Sequence, residues 1–369
     1  MHPRQLARFT PLLVGLAVFS ASSDRLAANS APSVAAGGLV PTREVHLTVV
    51  KEVVRISDRR VAVEYDFRNE GATDQAAELE FQVPAYQNQW DAMDPALQSF
   101  RNLKIWADGK PVEYQTDAKA EFEGRDISKT LRDAGIDIAT FGHLQIGRDL
   151  HKATQRVWVA DYERAPEKER HRLESEGIFQ GGEGYCVYTV HLRYHWMQSF
   201  PAHKVIQIRE EYVPVVGFTQ VPADPGAFQA ALTPASGSAN TWHRTDAQDI
   251  RSQLGGFCTD KSFIQNLLWA QKAFAGTWGE GMIPHWVDYT LDTEVLWHKP
   301  IADFTLIVDI PPPARGQQTL VSFCSPGIVD RKDAEHPQVH LTNYVPGTDL
   351  HIGFFNVPLQ LASEPVAAR

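Results

Sequence analysis

The chain has 369 residues, 43% of them hydrophobic, and a formal net charge of −10. That length exceeds a single typical domain and the apolar content suffices for real cores, so two packed units are expected rather than a disordered chain. The negative balance opposes binding to polyanions, which excludes nucleic acid as a natural partner.

The first residues carry Arg4 and Arg8, then an apolar run over 9–19, then small residues ending in Leu26-Ala27-Ala28. This is the three-part layout of a secretory leader. The run is roughly half the ~20 residues a membrane span needs, and Ser20, Ser22, Ser23 and Asp24 follow it. Cleavage near Ala28 is therefore expected, giving a periplasmic or secreted mature chain with no membrane span. Removing three arginines (Arg4, Arg8, Arg25) and one aspartate (Asp24) takes the charge to about −12.

Downstream, 45–56 and 60–67 read as strands, with Val61, Val63, Tyr65 and Phe67 on one face. The turn Asn69-Glu70-Gly71 leads to a strand over 77–83, and Asp108-Gly109 joins strands at 100–106 and 112–115 as a hairpin. Asp126 can cap a short helix over 127–134 stopped by Gly135, and Pro166 can open a highly charged helix stopped near Gly177. Beyond Leu173 that second helix has little apolar face, which predicts a solvated excursion from the sheet. Strands at 186–197 and 205–212 are then expected to form a second hairpin around Phe200-Pro201-Ala202-His203. A looser, Pro- and Gly-containing stretch covers 222–256, and Asp260 caps an amphipathic helix whose apolar face is Phe263, Ile264, Leu267, Leu268 and Phe274. Strands at 287–296, 304–310, 320–324, 339–343 and 350–355 complete the chain. The predicted fold class is mainly β: antiparallel β-sandwich-like units with short helical insertions (α+β). Its segments are a leader (1–28), an N-terminal β unit (29–116), a helical excursion (117–180), a hairpin, loop and helix (181–276) and a C-terminal β unit (277–369).

Three cysteines, Cys186, Cys258 and Cys324, lie far apart without CxxC spacing. An exported chain with three thiols most simply makes one bridge. From 186 to 196 the even positions are Cys186, Tyr188, Val190, Leu192, Tyr194 and Trp196, the buried face of a strand, so Cys186 is expected to be a buried hydrophobe and Cys258–Cys324 the disulfide.

Several phrases occur together: Ala36-Gly37-Gly38-Leu39-Val40, Val63-Glu64-Tyr65-Asp66-Phe67-Arg68-Asn69, Asp108-Gly109-Lys110-Pro111-Val112, Ser199-Phe200-Pro201-Ala202, Tyr212-Val213-Pro214-Val215-Val216-Gly217, Phe257-Cys258-Thr259-Asp260, Val287-Asp288-Tyr289-Thr290-Leu291 and Val321-Ser322-Phe323-Cys324. In that order they resemble the bacterial domain-of-unknown-function family 4424, over about 35–356. The resemblance implies export, a single family domain over about 29–356 and the Cys258–Cys324 pairing. It implies no activity, cofactor or catalytic residue. Cys186 and the Pro311-Pro312-Pro313 turn depart from the family pattern.

For chemistry, His191 and His195 share a strand face with Arg193 between them, and Arg209 or Glu211 on the strand expected to pair there would face them. Two imidazoles and a carboxylate are a weak candidate for zinc, against a solvated polar face carrying extra positive charge. Asp288 and Asp292, with His285 and Glu280 upstream, suggest paired carboxylates, but four residues along one strand separate them by about 13 Å, too far for glycoside hydrolysis. There is no GxSxG, HExxH, P-loop or dinucleotide fingerprint. Trp278, Trp286 and Trp297 lie near expected loops and strand ends and form a candidate binding surface. The reading is a noncatalytic periplasmic binding or envelope-associated module without a cofactor, its partner an envelope protein or glycan. The competing reading is an extracytoplasmic hydrolase with a site between the β units.

Overall fold

A computed structural model describes residues 30–31, 34–42, 46–87, 100–149, 154–180, 185–186, 188–219, 254–274, 284–291, 299–312 and 316–358. The fold is mainly β. Its largest layer is a seven-stranded sheet in the order Gln338–Tyr344, Ile301–Val308, Leu47–Ile56, Val61–Asn69, Val205–Val213, Arg101–Ala107, Lys110–Pro111. Every pairing is antiparallel except that of Ile301–Val308 with Leu47–Ile56, which joins strands from opposite ends of the chain. The alternation expected for Val61, Val63, Tyr65 and Phe67 holds, and all four are buried. The Asp108-Gly109 hairpin forms with both residues at positive φ, 46° and 74°, the geometry a two-residue turn needs to follow strand twist.

A five-stranded sheet, Leu39–Pro41, Gln75–Gln87, Thr189–Phe200, Gln115–Phe122, Arg125–Asp126, packs its apolar face against part of that layer. Rings meet across the interface: Phe81 lies 5.1 Å from Tyr212 and 5.6 Å from Phe100 between centroids. A third sheet, Ser30–Ala31, Gly217–Thr219, His285–Tyr289, Leu350–Pro358, Gln317–Phe323, adds Val287, Tyr289, Ile352 and Phe354 to the same core. Its other face, with Trp286, Phe355 and Val357, is covered by Phe257 and the helix Lys261–Phe274. That helix is amphipathic as expected, with Leu267 buried and Phe263, Ile264 and Leu268 packed beside it. Asp260 caps it by accepting the Phe263 N–H at 2.7 Å. The side chain of Phe274 and most of 222–256 lie outside the described residues.

The helix Ser128–Asp133 follows Asp126, whose carboxylate accepts the Ser128 N–H at 2.9 Å. The charged helix Glu167–Ser175 buries Leu173 alone.

The second hairpin is a correction. Thr189–Phe200 and Val205–Val213 are not hydrogen-bonded to each other; they belong to different sheets. Each has one buried row, Val190, Leu192, Tyr194 and Trp196 in the first and Ile206, Ile208, Glu210 and Tyr212 in the second. The two rows face the shared core from opposite layers, so the chain crosses from one layer to the other between them. Asn69, fully buried, pins this arch. Its amide donates to the Phe200 and Thr73 carbonyls at 2.8 and 2.9 Å and accepts the Gly71 N–H at 2.8 Å, while its backbone exchanges hydrogen bonds with His203 and Lys204. Arg209 and Glu211 consequently pair with each other at 3.0 Å on the outside of the seven-stranded sheet, away from His191 and His195.

Candidate functional site

The outward row of Thr189–Phe200 is His191, Arg193, His195. Register decides its neighbours: Arg193 lies opposite Gln82 on one side and Asp117 on the other, and His195 opposite Glu80 and Gln115. Arg193 donates to Asp117 at 2.5 and 3.0 Å and to nearly buried Glu80. Its hydrogen bonds hold the Asp117 carboxyl below the usual carboxylate range, and those of Asp117 and then Glu80 raise the guanidinium above its already high value. His195 Nδ1 is 2.8 Å from Glu78 and its Nε2 3.6 Å from Asp117; His191 Nε2 is 3.7 Å from Glu121. The two histidines are thus engaged by different carboxylates along a charge ladder, and no three ligand-type side chains converge on one point among the described residues.

Beside this ladder the sheet is interrupted. Val190 faces Tyr86 and Leu192 faces Val83, so Pro84 and Ala85 both sit opposite His191. Proline has no N–H to give the ladder, and a two-for-one bulge is how a strand accommodates it. The bulge and the neighbouring strand Gln115–Phe122 border a groove of about 620 Å³, whose lining includes Val83, Pro84, Ala85, Thr116, Asp117, Lys119, His191 and Arg193, with Arg132 from the short helix at one end. Lys119 is 3.5 Å from the half-exposed Glu121. Arg132 is exposed, and its charge is shared at longer range with Asp126 and Asp133, whose carboxyls it helps to hold low. Pro84, Lys119 and Arg132 were missed in the sequence reading; a proline inside a strand pattern was the available signal.

The other candidates are dispersed. Asp288 accepts from His351 Nδ1, and the His351 ring stacks on Phe257 with centroids 4.2 Å apart. Ser322, in a neighbouring row, donates its hydroxyl to the Phe257 carbonyl at 2.9 Å and is not an activated nucleophile. His285 points to the opposite face of its strand from Asp288, with Nδ1 3.9 Å from Asp58. Trp286 is not a surface residue: it is 3% exposed and wedged between Gly217 and Phe257, because its strand is central in the third sheet and its face lies under the helix. Trp278, Trp297, Asp292 and Glu280 lie outside the described residues. Cys258 and Cys324 form a disulfide with Cα atoms 4.9 Å apart. The backbone of Cys186 pairs with Phe179 in a separate two-stranded ribbon; its side chain lies outside the described residues.

Layered antiparallel sheets, a disulfide and a polar surface groove define a β-sandwich-like protein without a convergent catalytic cluster among the described residues. A family model described as "Domain of unknown function (DUF4424)" matches residues 27–352, and the chain belongs to that family. No curated protein matches it. Among solved structures the chain is similar to a "putative nutrient binding protein" from Legionella pneumophila subsp. pneumophila, with 14% identity, 89% of this chain and 72% of that chain covered, and a TM-score of 0.41.

Proposed function

We propose that the protein is an exported, noncatalytic binding module that takes a small polar ligand through an anionic group, the chemistry of an acidic envelope glycan. The observation that carries this reading is the groove beside the Pro84–Ala85 bulge. It is concave and of ligand size, and its lining offers the exposed guanidinium of Arg132 together with Lys119 and His191, while Arg193 is already neutralised by Asp117 and Glu80. Planar guanidinium groups suit carboxylate and phosphate. The leader-like N-terminus and the disulfide support export, since such bridges persist in oxidising compartments.

The test uses the mature chain isolated from the extracytoplasmic fraction, with a first residue near Asn29. It is titrated calorimetrically with glucuronate and inorganic phosphate, glucose being the uncharged control. Saturable binding of an anionic probe, weakened about tenfold or more by Arg132→Ala through loss of one charge-assisted hydrogen bond, is expected. Binding that ignores the substitution, or no binding at millimolar concentrations, removes the groove as the site.

A further inference from the structure

Two glutamates, Glu52 and Glu210, bring their carboxyl groups into the core. Glu210, on Val205–Val213, is 0% exposed, and neither of its oxygens accepts a bond from any described residue. The strand pattern explains why it is there: Glu210 occupies an inward position between Ile208 and Tyr212, where the alternation calls for an apolar side chain. Glu52 enters from the other side. It lies opposite Tyr65 on the intervening strand while Glu210 lies opposite Val63, so the two flank Val61–Asn69 within the same inward face.

Three parts of the molecule meet at this point. Tyr65 Oη is 3.2 Å from Tyr289 Oη, which belongs to the third sheet. Tyr212 donates its hydroxyl to the Ala36 carbonyl at 2.7 Å, holding segment 34–41. Gly37 lies so close to Tyr289 that a Cβ there would be 2.6 Å from the ring. The titratable groups facing Glu210 are Glu52, Tyr65, Tyr212 and Tyr289, all buried. Arg101–Ala107 contributes Ile105 opposite Glu210, and Ile301–Val308 contributes Phe304 opposite Glu52. The second sheet adds Phe81 against Tyr212, and segment 34–41 has no ionisable side chain. Arg55, Glu64, Arg209 and Glu211, on the same strands, face outward.

We propose that Glu210 is kept as the neutral acid in the folded protein and acts as a proton-dependent clasp, whose ionisation loosens the packing of segment 34–41 and the third sheet on the seven-stranded sheet. An unpaired carboxylate at 0% exposure is costly, so the group holds its proton or the packing opens. Burial first, and then the electrostatic repulsion of a second buried acid, Glu52, push its titration well above the ordinary glutamate range. The sign follows: an acid whose folded pKa is raised contributes its full stability below the unfolded value and loses it as pH climbs toward the folded value.

The experiment compares the full chain with Glu210→Gln and Glu52→Gln by thermal unfolding from pH 5 to 9. Hydrogen exchange, corrected for intrinsic rates, is followed at 34–41 and 285–289, and metal content is measured on the purified protein. Glutamine reproduces the neutral acid and cannot ionise. The native chain is expected to lose about 3 °C or more of Tm relative to Glu210→Gln on going from pH 6 to 9, with exchange in both segments rising only in the native chain and a shallower profile for Glu52→Gln. Three results would overturn the proposal: a Glu210→Gln profile as steep as the native one, a Glu210→Gln chain that fails to fold, or a stoichiometric cation lost on that substitution, which would make the neutralising species a metal rather than a proton.

Discussion

Single side chains set tight tolerances where the third sheet folds. Trp286 lies across Gly217, the residue opposite it in the adjacent strand, and a Cβ at 217 would sit 2.1 Å from the indole. The indole has no room to retreat, being 3% exposed and packed with Phe257 and His351. Gly217→Ala is therefore expected to cost about 1–3 kcal/mol through overpacking, read as a lower urea midpoint with an unchanged slope. The same packing explains why Trp286 is unavailable to a glycan. Asn69 is a different case, a buried amide whose donors and acceptor close a turn and the arch at once. An Asn-Glu-Gly turn was legible in the sequence; that the Asn side chain also fastens Phe200, 131 residues away, was not.

The amphipathic helix and the bulged strand show what element-level patterns carry. Lys261–Phe274 was readable because its period of 3.6 and its cap are local. The Phe263 N–H, followed by the Ser262 hydroxyl, lowers the Asp260 titration. A depressed carboxyl contributes stability above its unfolded pKa and loses it as pH falls through the folded value. Asp260→Ala is thus expected to raise amide exchange in the first turn of the helix at neutral pH, with the difference from the native chain vanishing in acid. The strand Gln75–Gln87 taught the opposite lesson. Its sequence reading stopped near Pro84, whereas the strand continues through a bulge, because a missing N–H can be absorbed when the partner strand supplies one residue against two. The candidate groove is a product of that accommodation.

At the scale of the molecule, the disulfide ties Cys258, just before the helix, to Cys324, which follows the edge strand of the third sheet, across a separation of 66 residues. Closing a loop of that length removes enough freedom from the unfolded chain to contribute about 4 kcal/mol in the chain-entropy model. A Cys258→Ala/Cys324→Ala chain should be destabilised by about that amount in chemical denaturation, and exchange should rise most in 254–274 and 317–323. A reductant should lower the native chain's midpoint and leave the double variant unchanged.

The sequence by itself determined that the fold is mainly β, where most strands and helices run, and which face of each is apolar, since period-2 and period-3.6 patterns, caps and turn residues act between near neighbours. Glu210 was not singled out in the sequence reading, although it interrupts the row of Ile206, Ile208 and Tyr212. Only the tertiary structure decided which strands pair. It set Ile301–Val308 parallel to Leu47–Ile56, sent Thr189–Phe200 and Val205–Val213 to different layers, and brought Arg132 to the mouth of the groove. Alternation tells a strand which face to bury, but many partners satisfy that demand. The choice among them rests on filling one core from three sheets at once, a condition that no local stretch of sequence contains.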